Sequence, residues 1–231
     1  MPKEITVDGV TYVPKESGSN PELAEIAIVL DRSGSMESIR ADMEGGFKTF
    51  MDEQRNQPGE CVVSLYQFDD RYEVVYEAKP IAEVSALGLK PRGSTALLDA
   101  VGRSLTAIGE RHANLPENQR PGAVVVLIIT DGAENASREW DLERVKSAIA
   151  DAENTRKWKL VFMAADASAF AQAGQYGFNT ARMGLVGKNS AGVGAMYAAT
   201  SASVGSYRSA VMSGDVNADM SVDQDALETD S

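Results

Sequence analysis

Cysteine and histidine are almost missing from this sequence of 231 residues. A single cysteine, Cys61, excludes an intramolecular disulfide, and a chain that folds without disulfides is typical of a reducing compartment. A single histidine, His112, excludes zinc sites built from several histidines. We expect Cys61 to lie in the core, and His112 to lie at the surface or to cap the end of a helix.

Long apolar runs are missing too, and basic residues are outnumbered. The longest apolar run, Ala123 to Ile129, is far shorter than the roughly 20 residues of a membrane helix. The first residues, Met-Pro-Lys-Glu-Ile-Thr, contain no apolar signal-peptide core. Acidic residues exceed basic ones by 34 to 22, and the net charge of -12 argues against nucleic acid or anionic membrane as a partner. We therefore expect a soluble, cytoplasmic protein.

The composition predicts one main domain with an extension at each end. Residues 1–20 predict a β-hairpin and a linker, because Asp8-Gly9 is a favoured two-residue turn between strand formers. Residues 21–212 form the main domain. Residues 213–231 hold six acidic and no basic residues, which predicts a disordered tail. Part of this tail is similar to the start of a calcium loop, but Met220 and Ala226 stand where such a loop needs glycine and a bidentate acid.

Strands and helices are predicted to alternate through the main domain. Predicted strands lie at 26–30, 62–68, 72–76, 123–129 and 160–165, with a last edge strand entered through 177–182. Predicted helices lie at 37–56, 96–111, 140–153, 170–176 and 191–212. The first helix contains Gly45-Gly46, which predicts close packing or a bend. This order predicts an α/β fold, a Rossmann-like, doubly wound and mostly parallel sheet with helices on both faces and one short antiparallel edge strand at 72–76.

Three polar clusters fall where such a sheet presents a site, at the carboxyl ends of its strands. Asp31, Ser33 and Ser35 follow the first strand of the main domain, Thr95 precedes a helix, and Asp131 follows the most apolar strand. All five side chains offer hard oxygen atoms. Oxygen ligands favour Mg²⁺, Mn²⁺ or Ca²⁺ over zinc. The sequence therefore predicts a divalent metal site at this edge, with Mg²⁺ as the first choice.

Two further features shape this prediction. Gly34 is expected to allow a sharp loop, so that alternate residues of the Asp-x-Ser-x-Ser segment point at one centre. The hydroxyl groups are neutral and leave positive charge on the ion. That charge would favour a carboxylate from another molecule as an additional ligand.

The combination of Asp31-x-Ser33-x-Ser35, Thr95 and Asp131-Gly132 resembles the metal-ion-dependent adhesion site of von Willebrand factor type A domains. The resemblance covers roughly residues 23 to 212, and Gly-Ser-Thr-Ala-Leu-Leu-Asp-Ala is similar to small stand-alone bacterial and phage members. It implies that the two serines and the threonine coordinate the ion directly or through water. It also implies that the two aspartates bind the ion or its waters, and that a Glu or Asp of a protein partner completes the octahedron.

Plainer interpretations exist for several of these residues. The two aspartates can be structural caps, and Thr95 can be the N-cap of the following helix. Asp99 reads as an acid in the first turn of a helix rather than an outer ligand. Glu134 and Asn135 either contact a partner or an outer water, or serve only the loop. Gly187-Lys188-Asn189-Ser190 is similar to the end of a phosphate-binding loop, but the upstream glycine that such a loop needs is replaced by Arg182.

The resulting hypothesis is a non-enzymatic, Mg²⁺-dependent protein-binding module. One alternative is a metal-assisted hydrolase such as a phosphatase, although no Asp-x-Asp pair follows the first strand of the main domain and no Cys or His lies near the candidate site. Another alternative is a subunit of a larger assembly, working with an AAA+ ATPase or in a phage particle, which rests on family analogy alone.

Overall fold

The structure is a computed structural model that describes residues 5–7, 10–12, 18–215 and 217–227. Its strands are β1 (Ile5–Val7), β2 (Val10–Tyr12), β3 (Asn20–Asp31), β4 (Glu60–Phe68), β5 (Tyr72–Pro80), β6 (Pro121–Thr130), β7 (Lys159–Ala164) and β8 (Met183–Leu185). Its α-helices are α1 (Arg40–Arg55), α2 (Leu97–Ala113), α3 (Leu142–Ala150), α4 (Ala167–Tyr176) and α5 (Ser190–Met212). Short 3₁₀ helices cover Gly34–Ile39, Ile81–Glu83, Glu117–Gln119, Thr180–Arg182 and Asp225–Leu227, and a π-helical turn covers Asp151–Thr155.

The main sheet has six strands in the order β5-β4-β3-β6-β7-β8. Its strands run parallel except at one edge, where β5 pairs with β4 in the antiparallel sense. This arrangement confirms the predicted α/β class and the mostly parallel sheet. Among the described residues, no helix combines the length and the apolar character needed to cross a membrane.

Apolar side chains cover both faces of the sheet, because successive residues of a strand point to opposite sides. Ile26 and Ile28 of β3 lie in the core shared with α1 and α5. Ala27 and Val29 lie in a second core, shared with α2, α3 and α4. The predicted run from Ala123 to Ile129 is buried throughout, as expected for a central strand between two helical layers.

The antiparallel edge strand is longer than predicted. It spans nine residues, and the β4–β5 register shifts on either side of Leu65. Val74 and Val75 lie at this edge and are 47% and 43% exposed. The run of strand-forming residues ends at Tyr76, but the backbone pairing with β4 continues to Pro80.

The two ends of the chain give different outcomes. Strands β1 and β2 pair antiparallel, with Val7 opposite Val10, as the predicted hairpin requires. The predicted turn at residues 8–9 and most of the predicted linker, residues 13–17, lie outside the described residues.

The prediction of a disordered acidic tail is wrong for residues 217–227. Three apolar side chains of this segment are buried in the core beside α1 and α5, namely Met220, Val222 and Leu227. The acidic residue Asp219 pairs with two bases, accepting a hydrogen bond from Arg182 Nη1 at 3.1 Å and lying 2.8 Å from Lys159 Nζ. The acidic composition hid these apolar anchors, which are spaced too widely to form a run.

Candidate metal centre

The candidate site lies where β3 and β6 end side by side. These strands are parallel neighbours, with Leu30 opposite Ile129, so the segments that follow them leave the sheet at the same edge. Asp31 is the last residue of β3, and Asp131 directly follows β6. The topology thus brings together two predicted residues that are 100 positions apart.

The Asp31 carboxylate is fully buried and fixed by two short hydrogen bonds. Its Oδ1 accepts from the Ser33 backbone N–H at 2.6 Å, and its Oδ2 accepts from Thr130 Oγ1 at 2.6 Å. Burial raises the pKa of Asp31 to about 6, more than these hydrogen bonds lower it, and the nearby charge of Asp131 adds to the rise. A cation at this position would favour the ionised form of Asp31.

The hydroxyl groups of Ser33 and Ser35 face the same point. Their Oγ atoms are 3.1 Å apart, and Ser35 Oγ donates to Asp131 Oδ1 at 2.7 Å. The expected role of Gly34 is not supported. Gly34 is not among the glycines with positive φ in the described chain, and a Cβ there would meet only the Gly93 carbonyl oxygen at 3.7 Å. The segment turns instead by entering a 3₁₀ helix at Gly34.

Thr95 reaches the site from the loop before α2. Its hydroxyl lies close to Gly132, as does that of Ser35: a Cβ added at Gly132 would be 3.4 Å from Thr95 Oγ1 and 3.8 Å from Ser35 Oγ. Thr95 does not cap α2, since the N-cap position is Ala96 and no side chain accepts a hydrogen bond there. The plainer interpretation of Thr95 as a helix cap is therefore wrong.

Asp131 carries the unusual atom of the site. Its carboxylate is fully buried, and its Oδ2 accepts no hydrogen bond from the described residues. The ammonium Nζ of Lys188 lies 2.5 Å from this oxygen and forms an ion pair with it. A buried carboxylate is costly without a compensating charge, and Lys188 supplies that charge at this oxygen.

Glu134, Asn135 and Asp99 hold the surrounding loops together by accepting backbone hydrogen bonds. Asn135 Oδ1 accepts from the Thr95 N–H at 2.9 Å, and Glu134 Oε2 accepts from the Leu98 N–H at 2.9 Å. Asp99 accepts from three successive N–H groups, those of residues 138–140. These contacts agree with the plainer interpretation that the three side chains serve the loop and the start of α2.

The sequence did not indicate the role of Asp69, which connects the segments after β3 and before α2 by hydrogen bonds. Asp69 is fully buried, and its Oδ2 accepts from Arg32 Nε at 2.9 Å and from Arg92 Nε at 2.7 Å. Its backbone carbonyl accepts from the Ala96 N–H at 2.9 Å. Burial opposes the ionised form of Asp69, but the hydrogen bond from Arg92, the Arg71 N–H and the charge of Arg32 lower its pKa below the ordinary value. The available signal was its place directly after β4, beside the strand that ends at Asp31.

His112 lies far from this edge, and its predicted surface position is wrong. It is buried, with Nε2 2.7 Å from Glu25 Oε2. Glu25 precedes Asp31 by six residues on β3, which places this pair about 20 Å from the site. Cys61 is buried, as predicted.

The donor set fits a hard divalent cation. The five predicted side chains supply carboxylate and hydroxyl oxygens from three loops, and the buried Asp131 carboxylate already attracts the Lys188 ammonium. Within the described residues, no three His, Cys, Asp or Glu side chains form a cluster that could hold a metal, so an ion at this edge depends on the hydroxyl groups.

No protein-family model matches the chain, and a search of curated proteins finds no match. Solved structures do match. A von Willebrand factor type A protein from Catenulispora acidiphila is 15% identical with a TM-score of 0.54, and the match covers 82% of this chain and 43% of that one. The pilus adhesin SpaC from Lactobacillus rhamnosus GG, in an open conformation, is 16% identical with a TM-score of 0.59, covering 79% of this chain and 30% of SpaC.

A more distant match is proximal thread matrix protein 1 from the mussel byssus, described with a zinc-occupied MIDAS motif. It is 21% identical with a TM-score of 0.43, and the match covers 61% of this chain and 35% of that one. In all three cases the match spans less than half of the other protein's length. On the first two similarities and the six-stranded sheet, this chain has the von Willebrand factor type A fold.

Proposed function

We propose that this chain is a non-enzymatic module that binds Mg²⁺ at the edge formed by β3 and β6 and then binds a carboxylate of a protein partner. Asp31, Ser33, Ser35, Thr95 and Asp131 would hold the ion directly or through water. Mn²⁺ and Ca²⁺ suit the same oxygen ligands. A cytoplasmic location belongs to this proposal and agrees with the free, buried thiol of Cys61.

The Oδ2 atom of Asp131 carries the proposal. It is a buried anionic oxygen that Ser35 does not bond, since Ser35 Oγ donates to the other oxygen of the same carboxylate, and its charge is met by the ammonium of Lys188, which reaches in from solvent. A buried carboxylate needs a compensating positive charge, and a divalent ion can take over this role from a partly exposed lysine. A divalent ion would supply that positive charge and would also offset the cost of burying the ionised form of Asp31.

The partner's carboxylate follows from charge. Three of the five candidate ligands are neutral hydroxyls, which bind an ion without adding negative charge to it. An aspartate that acts through a water molecule neutralises the ion less than one that binds it directly, and an anionic ligand from outside would gain from that difference. A cavity of about 450 Å³ lies near this edge, with Ala96, the residue after Thr95, in its lining. The five candidate ligands do not line it, and its charged residues are three arginines and three acids, so it does not by itself select an acidic partner.

The direct test compares Thr95→Ala with Thr49→Ala by titration calorimetry with MgCl₂. Thr95 Oγ1 faces the candidate centre, whereas Thr49 Oγ1 bonds its own helix at the Gly45 carbonyl oxygen, 3.3 Å away. We expect wild type and Thr49→Ala to bind one ion alike, and Thr95→Ala to lose at least about tenfold in affinity, which equals 1.4 kcal/mol.

Four results would contradict the proposal. If the wild-type protein takes up no divalent ion, the proposed metal binding is wrong. If Thr95→Ala takes up the ion as well as wild type, the ion binds elsewhere than at this site. Turnover of a phosphate ester with Mg²⁺ or Mn²⁺ that is lost in Asp31→Ala would replace the binding module by a hydrolase. An acidic peptide panel tested with and without EDTA examines the partner, and binding that survives EDTA would reject the metal-bridged carboxylate.

A further inference from the structure

Lys188 supplies the positive charge beside the buried Asp131 carboxylate. It lies in the connection from β8 to α5, and its Nζ is 2.5 Å from Asp131 Oδ2. The two ends of this contact differ, because the Asp131 side chain is fully buried whereas the Lys188 side chain is 36% exposed. The ammonium thus reaches inward from solvent to a buried anion.

The backbone that carries Lys188 is tightly held on its helix side. Asn189 is the N-cap of α5, and its Oδ1 accepts from the Gly192 N–H at 2.8 Å. A Cβ at Gly192 would lie 2.2 Å from the Gly187 carbonyl oxygen, so the turn packs closely against the first turn of the helix. The backbone of Lys188 therefore has little freedom, while its long, half-exposed side chain can rotate.

A second carboxylate lies within electrostatic reach of Lys188. Asp166 caps α4 and accepts from the N–H groups of Ser168 and Ala169. These hydrogen bonds lower the pKa of Asp166, and the charge of Lys188 contributes to the lowering. Asp166 therefore offers the ammonium an anionic neighbour if the ammonium leaves Asp131.

We propose that Lys188 acts as a built-in cation that compensates the buried Asp131 carboxylate until a divalent ion displaces it. This inference rests on the proposed function, because it assumes that the ion binds at Asp131. An ammonium 2.5 Å from one oxygen of Asp131 and a divalent ion bound to the same carboxylate would repel each other at close range. Lys188 thus lowers the affinity for the ion and supports the metal-free fold.

The test compares Lys188→Met with Lys146→Met by titration calorimetry with MgCl₂. Each variant removes one lysine charge, and Lys146 is 41% exposed and pairs with Glu143 within α3. We expect Lys188→Met to bind Mg²⁺ about tenfold more tightly than wild type, the scale of a partly exposed ion pair at a buried carboxylate. Lys146→Met should match wild type.

Thermal unfolding in EDTA supplies the second measurement. Lys188→Met should unfold at a lower temperature than wild type without metal and should gain more from added Mg²⁺, because it leaves Asp131 uncompensated until the ion binds. Lys188→Gln provides a polar variant for the same comparison. Its midpoint should fall in the same direction.

The outcomes separate the two proposals. If wild type binds Mg²⁺ and Lys188→Met binds it equally or more weakly, the displacement by metal is wrong while the metal site stands. If neither protein binds a divalent ion, the proposed function fails, and this inference fails with it. A lysine that only neutralises the surface would give the same affinity in the Lys188 and Lys146 variants, which would also overturn the inference.

Discussion

At the residue scale, buried charges occupy the middle and the carboxyl end of β3. Asp31 ends the strand at the candidate metal centre, whereas Glu25, in the middle of the strand, is fully buried and bonds Arg111 and His112. Glu25 Oε1 also accepts from Ser64 Oγ at 2.8 Å. Burial alone would raise the pKa of Glu25, but hydrogen bonds and charge from His112 and Arg111 lower it to about 2. The ionised form of Glu25 therefore stabilises the fold, whereas burial disfavours the ionised form of Asp31.

Glu25→Gln should destabilise the protein by about 3 kcal/mol, because removing the buried carboxylate leaves the partly buried Arg111 guanidinium without its counter-ion. The measurement is urea unfolding at pH 7. Glu37→Gln is the control, since Glu37 is 60% exposed and lies 3.6 Å from Arg40 within a helical segment. We expect no change in stability for the control.

Wild type and Glu25→Gln together also test how the stability depends on pH. A folded pKa of about 2, against 4.5 for the ordinary group, means that wild type gains stability above pH 4.5 and loses that gain as the pH falls toward 2. Glu25→Gln should lack this part of the acid dependence. Parallel acid profiles of wild type and Glu25→Gln would contradict the assignment.

The sequence predicted the candidate ligands at this scale because a short motif carries them. Asp31, Ser33 and Ser35 lie within five positions, so local reading finds them. Lys188 and Asp69 escaped because their roles come from contacts with residues distant in the chain, Asp131 and Arg32 respectively. Nothing local to either residue indicates those partners.

At the element scale, helix α1 shows how packing gives two adjacent glycines different roles. A Cβ at Gly46 would lie 2.2 Å from the ring of Tyr197 on α5, whereas a Cβ at Gly45 would meet nothing within 4 Å. The predicted close packing is therefore present at Gly46 and absent at Gly45. The apolar periodicity predicted helix α1 itself. It could not indicate which glycine contacts α5, because α5 follows α1 by more than a hundred residues.

Substituting each glycine in turn should give effects of opposite sign. Gly46→Ala should destabilise by about 1–3 kcal/mol because the added methyl overlaps a buried ring. Gly45→Ala should stabilise by up to about 1 kcal/mol, because alanine has the higher helix propensity and the space is open. Chemical denaturation measures both. Equal effects of the two substitutions would show that α1 and α5 do not pack as described.

At the scale of the whole molecule, alternation of strands and helices predicted the fold class but not every piece that completes it. The apolar strands indicated a central parallel sheet, and the sheet has that form. The tail escaped because net charge dominates its composition, whereas its position depends on three separated apolar residues and on bases elsewhere in the chain. Such long-range pairings leave no local pattern.

The described tail segment should contribute to global stability. Replacing its three buried side chains with alanine, as Met220→Ala, Val222→Ala and Leu227→Ala together, should cost at least about 3 kcal/mol from lost apolar burial. Replacing the exposed Asp223 and Asp225 with alanine is the control and should cost far less. The midpoints of urea unfolding compare the three proteins. If the triple variant is as stable as wild type, the prediction of a disordered tail is right after all.

Strand β3 joins two charged centres about 20 Å apart, which among the described residues share no side-chain partner. Changes at Glu25 and Lys188 should therefore be energetically independent, with the double variant showing the sum of the single effects. An engineer can then strengthen the scaffold at the middle of the strand while tuning ion uptake at its carboxyl end.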